Sequence, residues 1–371
     1  MAIKEKVKKI ACPERGRRVF VGMSGGVDSS VAAGLLKEQG YDVVGVHLRC
    51  FNLDGCADRD LEDARRAAEV LDIPFYVWDY EKEYKKDVMQ YMISGYKKGI
   101  TPNPDVMCNK EIKFGLFLEK ALKMGADYVA TGHYVEIKRG KTQKLFIAED
   151  KNKDQSYFLW TLTQKQLKHC LFPLGDLKKP DVRKLAQKFG LLNAAKKDSQ
   201  GICFLGKVGL EDFLKKYIKP KKGNIVDTEG NILGRHEGVF YYTIGQRHGL
   251  RLDKAAKSPD SEPYYVADKI LKTNTIVVAQ GENNQALFKN EVELLDVNLI
   301  NKVKNGQAVW ARVRYRQSLF KAKLVLGRRS SVVSCKLMFN EPVKFVAVGQ
   351  SAVFYSKTGE MLGGGIIKGF V

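Results

Sequence analysis

The chain has 371 residues, and 63 Lys and Arg against 42 Asp and Glu leave a formal charge of +21. At roughly 100–200 residues per domain this length supplies two or three domains with a real core, which excludes a disordered tail as the main story. With 44% hydrophobic and 28% charged residues the composition is that of a soluble globular protein, and no window approaches the ~18 uncharged apolar residues that span a bilayer. The first residues are basic, but the apolar run behind them, Val19-Phe20-Val21, is far shorter than the ~7–15 residues of a secretory core, so a cytoplasmic protein without membrane attachment is expected. Seven Cys scattered over a long chain argue for reduced thiols rather than a disulfide framework.

From Arg18 to about Tyr134 short apolar runs alternate with helical patterns. Val19 to Met23 reads as a buried strand, and Ser30 to Gln39 places Val31, Leu35 and Leu36 on one helical face before a stop at Gly40. Asp42 to Leu48 is strand-like, a helix follows around Leu61, Ala64, Ala68 and Leu71, and Phe75 to Trp78 is the next strand. A helix over Glu111–Met124, stopped at Gly125, leads into the strand Tyr128–Ala130. This alternation predicts an α/β fold with a doubly wound parallel sheet. After Gly206 the pattern changes: turn signals at Asp227–Gly230 and Lys272–Asn274 separate short β-rich runs. Toward the C-terminus Val309–Tyr315, Ala322–Leu326, Val332–Met338, Val343–Val348 and Ala352–Tyr355 are strand candidates spaced for a barrel or sandwich.

Charge is unevenly placed. Between Val297 and Asn340 there are ten Lys and Arg and no Asp or Glu. Arg312, Arg314 and Arg316 alternate, so an extended strand would aim all three guanidinium groups to one side, as a surface for a phosphate backbone. The blander reading is a solubilising face.

Between the first strand and the first helix lies Ser24-Gly25-Gly26-Val27-Asp28-Ser29-Ser30. A doubly wound fold binds phosphate there, because helix N-terminal amides point outward and the dipole favours negative charge. Gly25 and Gly26 let the backbone approach a pyrophosphate, Ser24, Ser29 and Ser30 offer hydroxyl donors, and the carboxylate of Asp28 beside a phosphate implies a bridging Mg²⁺. The loop has neither the Lys-Ser/Thr ending of a Walker A segment nor the dinucleotide spacing, and in isolation a run of Ser and Gly is a turn. In its strand–loop–helix setting it resembles the loop of the N-type ATP pyrophosphatases, which cleave ATP to AMP and pyrophosphate while adenylating a carbonyl oxygen.

A second constellation is Thr101 to Asn109, with two prolines that stiffen the approach to Cys108. A helix beginning near Asn109 would put this thiol at a positive helix end and favour thiolate, with Asp105 close enough to accept or donate a proton. A third is Lys197 to Leu205, where Cys203 lies between Ile202 and Phe204. Taken singly, each Cys reads as a structural core residue. Cys12, Cys50, Cys56, Cys170 and Cys335 match no catalytic pattern, and Cys50 and Cys56 are not spaced as a zinc pair.

The ordered set SGGVDSS, NPDVMCN, ATGHY at Ala130–Tyr134, KDQSYFLW at Lys153–Trp160 and DSQGICF at Asp198–Phe204 resembles the bacterial tRNA-specific 2-thiouridylases, from about Arg18 through Gly349–Val353 to the C-terminus. A basic leader over 1–17 precedes the matching stretch and departs from the family pattern; over the rest the resemblance implies an ATP-pyrophosphatase catalytic domain over 18–206, a small β-rich central domain over 207–285 and a C-terminal β-barrel over 286–371. It implies ATP-dependent sulfur transfer to the 2-position of a wobble uridine. In that reading Cys203 holds a persulfide, and Cys108 attacks the persulfide or closes a disulfide with Cys203. Asp105 is the acid/base group, and Asn103, Pro104 and Asp105 surround the target base. ATP falls on Gly22, Met23, Ser24, Gly25, Gly26, Val27, Asp28 and Ser29, with Leu48 near the adenine and Gly132 beside it. The tRNA falls on His133, Lys153, Asp154, Gln155, Arg314, Tyr315 and Gln350. The implied partners are tRNAs with Lys-, Glu- or Gln-type anticodons and a cysteine desulfurase or sulfur carrier as persulfide donor. Physical grounds agree, since a uracil oxygen is a poor leaving group until adenylated, and an anticodon-loop base is easily extruded into a pocket. The alternatives are a ligase or amidotransferase using the same loop, a non-catalytic RNA-binding protein, and an iron–sulfur cluster on the two thiols, which the resemblance does not favour.

Overall fold

Val19 and Val21 are fully buried and Phe20 is almost so, which is what a central strand of a parallel sheet requires, because helices cover both of its faces. The structure, a computed structural model, describes residues 16–51, 56–197, 208–253, 262–329 and 332–370. The basic leader and Cys203 therefore lie outside the described residues. The early strands are β1 (Arg18–Gly22), β2 (Asp42–Arg49), β3 (Phe75–Asp79), β4 (Tyr128–Ala130), β5 (Glu136–Lys138), β6 (Lys144–Phe146) and β7 (Cys170–Leu171). Five of them form a sheet in the order β3-β2-β1-β4-β7, with every pairing parallel. The order reverses at β1, with β2 on one side and β4 on the other. In such sheets the crevice beyond the strand C-termini at the reversal is the ligand site.

The helices are α1 (Val27–Glu38), α2 (Cys56–Val70), α3 (a helical run over 81–97), α4 (a run over 104–123), α5 (Gln164–Leu167), α6 (Lys179–Lys188) and α7 (Leu210–Lys215). α1 packs against α6 on one side of the sheet. The pattern over Glu111–Met124 predicts the later part of α4, but the run begins earlier, at Pro104. Asn103 caps it by accepting a hydrogen bond from Val106 N at 3.2 Å, and Pro104 supplies a preset φ where no amide is needed. The run passes through a π-helical stretch over Cys108–Leu116 before returning to α-helix at Phe117–Lys123. Cys108 thus sits a turn inside the helix and not at its positive end, which removes the helix-terminus argument for its activation.

The central unit is a four-stranded sheet in the order β10-β11-β8-β9, from β8 (Gly223–Val226), β9 (Ile232–His236), β10 (Tyr264–Ile270) and β11 (Thr275–Gln280). Both expected turns are there: Asp227 N donates to Asn231 O at 3.0 Å across the first hairpin, and Asn274 takes a left-handed φ of 53° in the second. The last unit comprises β12 (Phe288–Leu299), β13 (Ala308–Arg312), β14 (Phe320–Arg329), β15 (Val332–Lys344), β16 (Ser351–Tyr355) and β17 (Glu360–Phe370), closed into a barrel by pairing of β12 with β17. Two strand expectations are corrected. β15 absorbs the start of the expected Val343–Val348 strand, and β13 stops at Arg312 rather than running to Tyr315. With the strand ended, Arg316 adopts a left-handed φ of 65°, and the three arginines do not share a face.

The barrel is fixed to the parallel-sheet unit through the segment 154–160. Trp160 Nε1 donates to Ser351 Oγ at 3.0 Å, and Tyr157 OH donates to the Ser351 carbonyl at 2.8 Å. Beneath them Arg312 Nη2 pairs with Asp154 Oδ2 at 2.7 Å, both side chains almost wholly buried. One apolar cluster runs from Phe20 through Trp160 to Tyr355 and Met361, so the units share a core.

Candidate active site

The glycine-rich loop leaves β1 and enters α1 with Gly26 as its N-cap and no side-chain cap, so the first-turn amides have no intrahelical acceptor. Gly25 has a φ of +75°, and a Cβ there would run into the Asp60 carbonyl of α2. No other residue fits this position. The hydroxyls are divided between the loop and the space above it. Ser29 Oγ and Ser30 Oγ donate to the Gly26 carbonyl at 3.2 and 3.1 Å, and both residues are buried. Ser24 is exposed. The expected donation by Ser29 and Ser30 is thus directed into the loop itself, and the outward donors are the amides and Ser24.

β4 delivers the second wall. A Cβ on Gly132 would lie 2.7 Å from Ser29 N and 2.8 Å from the Asp28 carbonyl carbon, so the Ala130–Tyr134 segment presses directly on the start of α1. Leu48, next to the end of β2 on the other side of β1, is half-buried and paired with Trp78. Tyr134 OH donates to Asp28 Oδ1 at 2.8 Å, and Lys179 Nζ donates to the same oxygen at 2.7 Å. Lys179, only 8% exposed, opens α6, and it answers the repulsion that Asp28 would exert on a phosphate. Behind the loop, Asn193 Nδ2 donates to the Gly25 carbonyl at 3.1 Å, and Lys196 Nζ reaches that carbonyl at 3.3 Å while pairing with Asp60 at 2.8 Å and Asp63 at 2.6 Å. Asp28 Oδ2 has no partner among the described residues, and a single carboxylate oxygen beside a phosphate cradle suits Mg²⁺, which keeps most of its waters. Among the described residues no group of three or more His, Cys, Asp or Glu forms a metal cage.

The target-base segment lies at the start of α4. Asn103 and Pro104 are buried, and Asp105 is half-buried at its surface, but enough protein encloses its carboxyl that burial raises the pKa, against an opposing pull from Lys113. Cys108, three residues on and so on the neighbouring helical face, is buried. Lys113 also acts on His133, whose pKa burial holds well below its ordinary value. Phe114, in the same helical run as Asp105 and Cys108, packs its ring on His133 at 6.0 Å, so α4 lies against the Ala130–Tyr134 segment. His133 is 8% exposed, its Nδ1 is 2.7 Å from Thr131 Oγ1, and it packs on Phe114 and Phe172. Its ring lies in the wall of the site, where burial favours the neutral form.

The expected tRNA residues separate into two groups. Asp154 is the buried partner of Arg312 and joins the barrel to the parallel-sheet unit, whereas Gln155 Oε1 accepts from Tyr134 N at 3.1 Å within the parallel-sheet unit. Lys153 is half-buried beside them. Tyr315 and Gln350 line the open side, where the Tyr315 ring packs on Phe158 at 4.4 Å. Gln350 Nε2 donates to the carbonyls of Thr101 and Pro102 at 3.1 and 3.2 Å, tying the barrel to the residues just before Asn103. Cys203 lies outside the described residues, which stop on its N-terminal side at Lys197, next to the lysine on the Gly25 carbonyl. Sequence reasoning missed Lys179, Lys196 and Lys113. An isolated Lys carries no pattern, and only the unanswered charge of Asp28 signalled that a cation was needed.

Three family models cover the chain: a tRNA methyl transferase HUP domain over residues 17–207, a tRNA methyl transferase PRC-barrel domain over 211–280 and an aminomethyltransferase beta-barrel domain over 289–367. The tRNA-specific 2-thiouridylase MnmA of Bacillus licheniformis is 46% identical over 360 residues, 94% of this chain and 94% of that one. A protein of the same description from Geobacillus kaustophilus is 47% identical over 347 residues, 91% of this chain and 92% of its own. The corresponding Listeria monocytogenes protein is 44% identical over 359 residues, 94% of both chains. With relatives of that identity along nearly its whole length, the chain belongs to the tRNA-specific 2-thiouridylase family.

Proposed function

We propose that this protein is a tRNA-uridine 2-sulfurtransferase, which uses ATP to replace the 2-oxygen of the wobble uridine by sulfur. Its units would divide near residues 206 and 285, into a nucleotide-cleaving domain, a small β-rich domain and a β-barrel. The observation that carries the reading is geometric: Gly132 lies against the phosphate loop at Ser29, while His133 of the same segment packs on Phe114 of α4, the helix that Asn103 caps.

ATP would lie with its phosphates on the amides of α1, between Ser24 and Lys179, and its adenine toward Leu48. Mg²⁺, held through Asp28, would neutralise phosphate charge. The flipped uracil would rest against Asn103, Pro104 and Asp105. Its O2 attacks the α-phosphorus, pyrophosphate leaves, and N3 gives its proton to the Asp105 carboxylate. A carboxyl whose pKa is raised is matched to that acceptance and to the later return of the proton. The terminal sulfur of a Cys203 persulfide then attacks C2 and expels AMP. Cys108 attacks the inner sulfur and releases the thiocarbonyl as N3 regains its proton. If Cys108 attacks the persulfide first, hydrosulfide is released as the nucleophile. Either order leaves a Cys108–Cys203 disulfide, which an external thiol must reduce before the next turnover. The sulfur donor would be a cysteine desulfurase or a sulfur carrier, and the substrates tRNAs of Lys, Glu and Gln type. No helix among the described residues is long and apolar enough to cross a membrane, and the reading places the enzyme in the cytoplasm.

The test is nucleoside mass spectrometry of tRNA incubated with the protein, ATP, Mg²⁺ and a persulfide source. 2-Thiouridine is expected, and an ATP-consuming protein that forms none would instead be a ligase of another acceptor.

A further inference from the structure

An open pocket of about 490 Å³ lies where all three units meet, with Thr101 from the parallel-sheet unit, Arg247 and His248 from the central unit, and Arg314, Tyr315 and Gln350 from the barrel. No acidic residue lines it. Arg314 is half-buried, and its guanidinium has no hydrogen-bond or ion-pair partner among the described residues; burial without a counter-ion lowers its pKa. The Phe345 ring lies 5.8 Å from its Cζ but carries no net charge, and a buried cation without a counter-ion is costly unless an anion arrives to pair with it. Arg247 and His248 are exposed beside it, and Arg247 likewise has no acid or hydrogen-bond partner among the described residues.

The turn that carries them is held rigidly. Thr243 N donates to Gln246 Oε1 at 3.1 Å, Gln246 Nε2 donates to the His248 carbonyl at 2.9 Å, and Val266 N donates to the Gln246 carbonyl at 3.0 Å. Gly245 sits at a φ of +78°, and a Cβ there would stand 2.6 Å from Arg314 Nη1. The turn is therefore pressed against the arginine of the barrel and presents Arg247 next to it. A fixed backbone that displays unpaired cations over a half-buried aromatic, Tyr315, is built to receive a polyanion with bases, not to solubilise a surface.

We propose that Arg247, with His248 beside it, binds the phosphodiester of a nucleotide flanking the target base, so that the central unit forms part of the RNA site. The inference rests on the sulfurtransferase reading above, which supplies the RNA. The location follows from Gln350, which joins this pocket to the carbonyls of Thr101 and Pro102, immediately before the base-binding segment.

The experiment compares wild-type full-length protein with Arg247→Ala and with the double variant Arg247→Ala/His248→Ala. Thermal unfolding, tRNA affinity over a series of KCl concentrations, and ATP affinity are measured on each. The expected result is unchanged unfolding and ATP affinity, with tRNA binding weakened about tenfold for one charge-assisted contact. The slope of log affinity against log salt should also become shallower, by about 0.7–0.9 per phosphate contact removed. At saturating tRNA the turnover rate should return to that of wild type. If the variants bind tRNA as wild type does, with the same slope, the inference is wrong and the sulfurtransferase reading stands. If ATP affinity falls and tRNA affinity does not, the pocket takes a nucleotide and the inference is again wrong. A wild-type protein that binds no tRNA overturns both.

Discussion

The nucleotide end and the RNA end of this molecule treat charge in opposite ways. Around the glycine-rich loop Lys179 is answered by Asp28, and Lys196 by Asp60, Asp63 and the Gly25 carbonyl. Around Thr101 and Gln350, Arg247 and Arg314 face a pocket without acidic lining. The first arrangement is a pre-organised cradle whose geometry persists when empty, so that little must be reordered as a compact anion binds. The second leaves its cations for a large partner to neutralise and depends on ionic strength through counterion release. The same overall charge of +21 thus serves two purposes, and the contrast is open to attack at either end.

The largest effect is expected on the sulfur. Cys108→Ser and Cys203→Ser should each abolish 2-thiouridine in the nucleoside mass spectrum while leaving ATP binding intact, and undiminished product from either would remove sulfur transfer through that thiol. Next come the residues of the cradle. Asp28→Ala and Lys179→Met should reduce tRNA-dependent pyrophosphate release by roughly a hundredfold, the usual scale for a preorganised electrostatic group at the reacting phosphate. Because Lys179 is already paired with Asp28, the double variant should lose less than the product of the two single losses. Full additivity would show that the pair does not act as a unit.

Arg312→Ala tests the buried joint. Leaving Asp154 buried without its partner should cost about 3–5 kcal/mol in denaturant unfolding, whereas a loss confined to tRNA affinity would make Arg312 a direct RNA contact. The pH dependence is smaller and separates the two ends. The raised pKa of Asp105 means that a general base there is protonated at acid pH, so thiolation should climb as pH rises through a value above the ordinary 3.8 and that limb should vanish in Asp105→Asn. His133 and His47 have pKa values lowered by burial from 6.5. Their neutral forms belong to the folded state, so the stability they contribute is present above that value and falls as pH drops below it. A thermal midpoint that rises as pH falls from 7 to 5.5 would contradict the burial of both rings.

The legible part of the molecule was the part with periodicity or punctuation. Apolar runs such as Val19–Val21, and stops such as Gly40 and Gly125, declare the parallel sheet and its helices, and the SGGVDSS loop declares its own place. Three things were not legible. The start of α4 lies earlier than the apolar pattern from Glu111 indicates, because Asn103 caps the helix and Pro104 is its favoured first residue. The arginine row was read as a strand face, but β13 ends at Arg312, which turns inward to Asp154, a contact 158 residues away in sequence. Strands β5 and β6 escaped notice because they are short, three residues each, and join the barrel sheet through β17 rather than the parallel sheet around them. In the last two cases a distant partner decides the local structure, and no window of sequence contains that partner.

The most direct test of the central claim is the covalent state of the two thiols after one turnover. Protein loaded with persulfide is incubated with tRNA, ATP and Mg²⁺ without reductant, then digested and mapped by mass spectrometry. The account predicts a Cys108–Cys203 linked peptide in step with the 2-thiouridine formed, and no 2-thiouridine when ATP is omitted. Stoichiometric 2-thiouridine with both cysteines still recovered as separate thiols would contradict it.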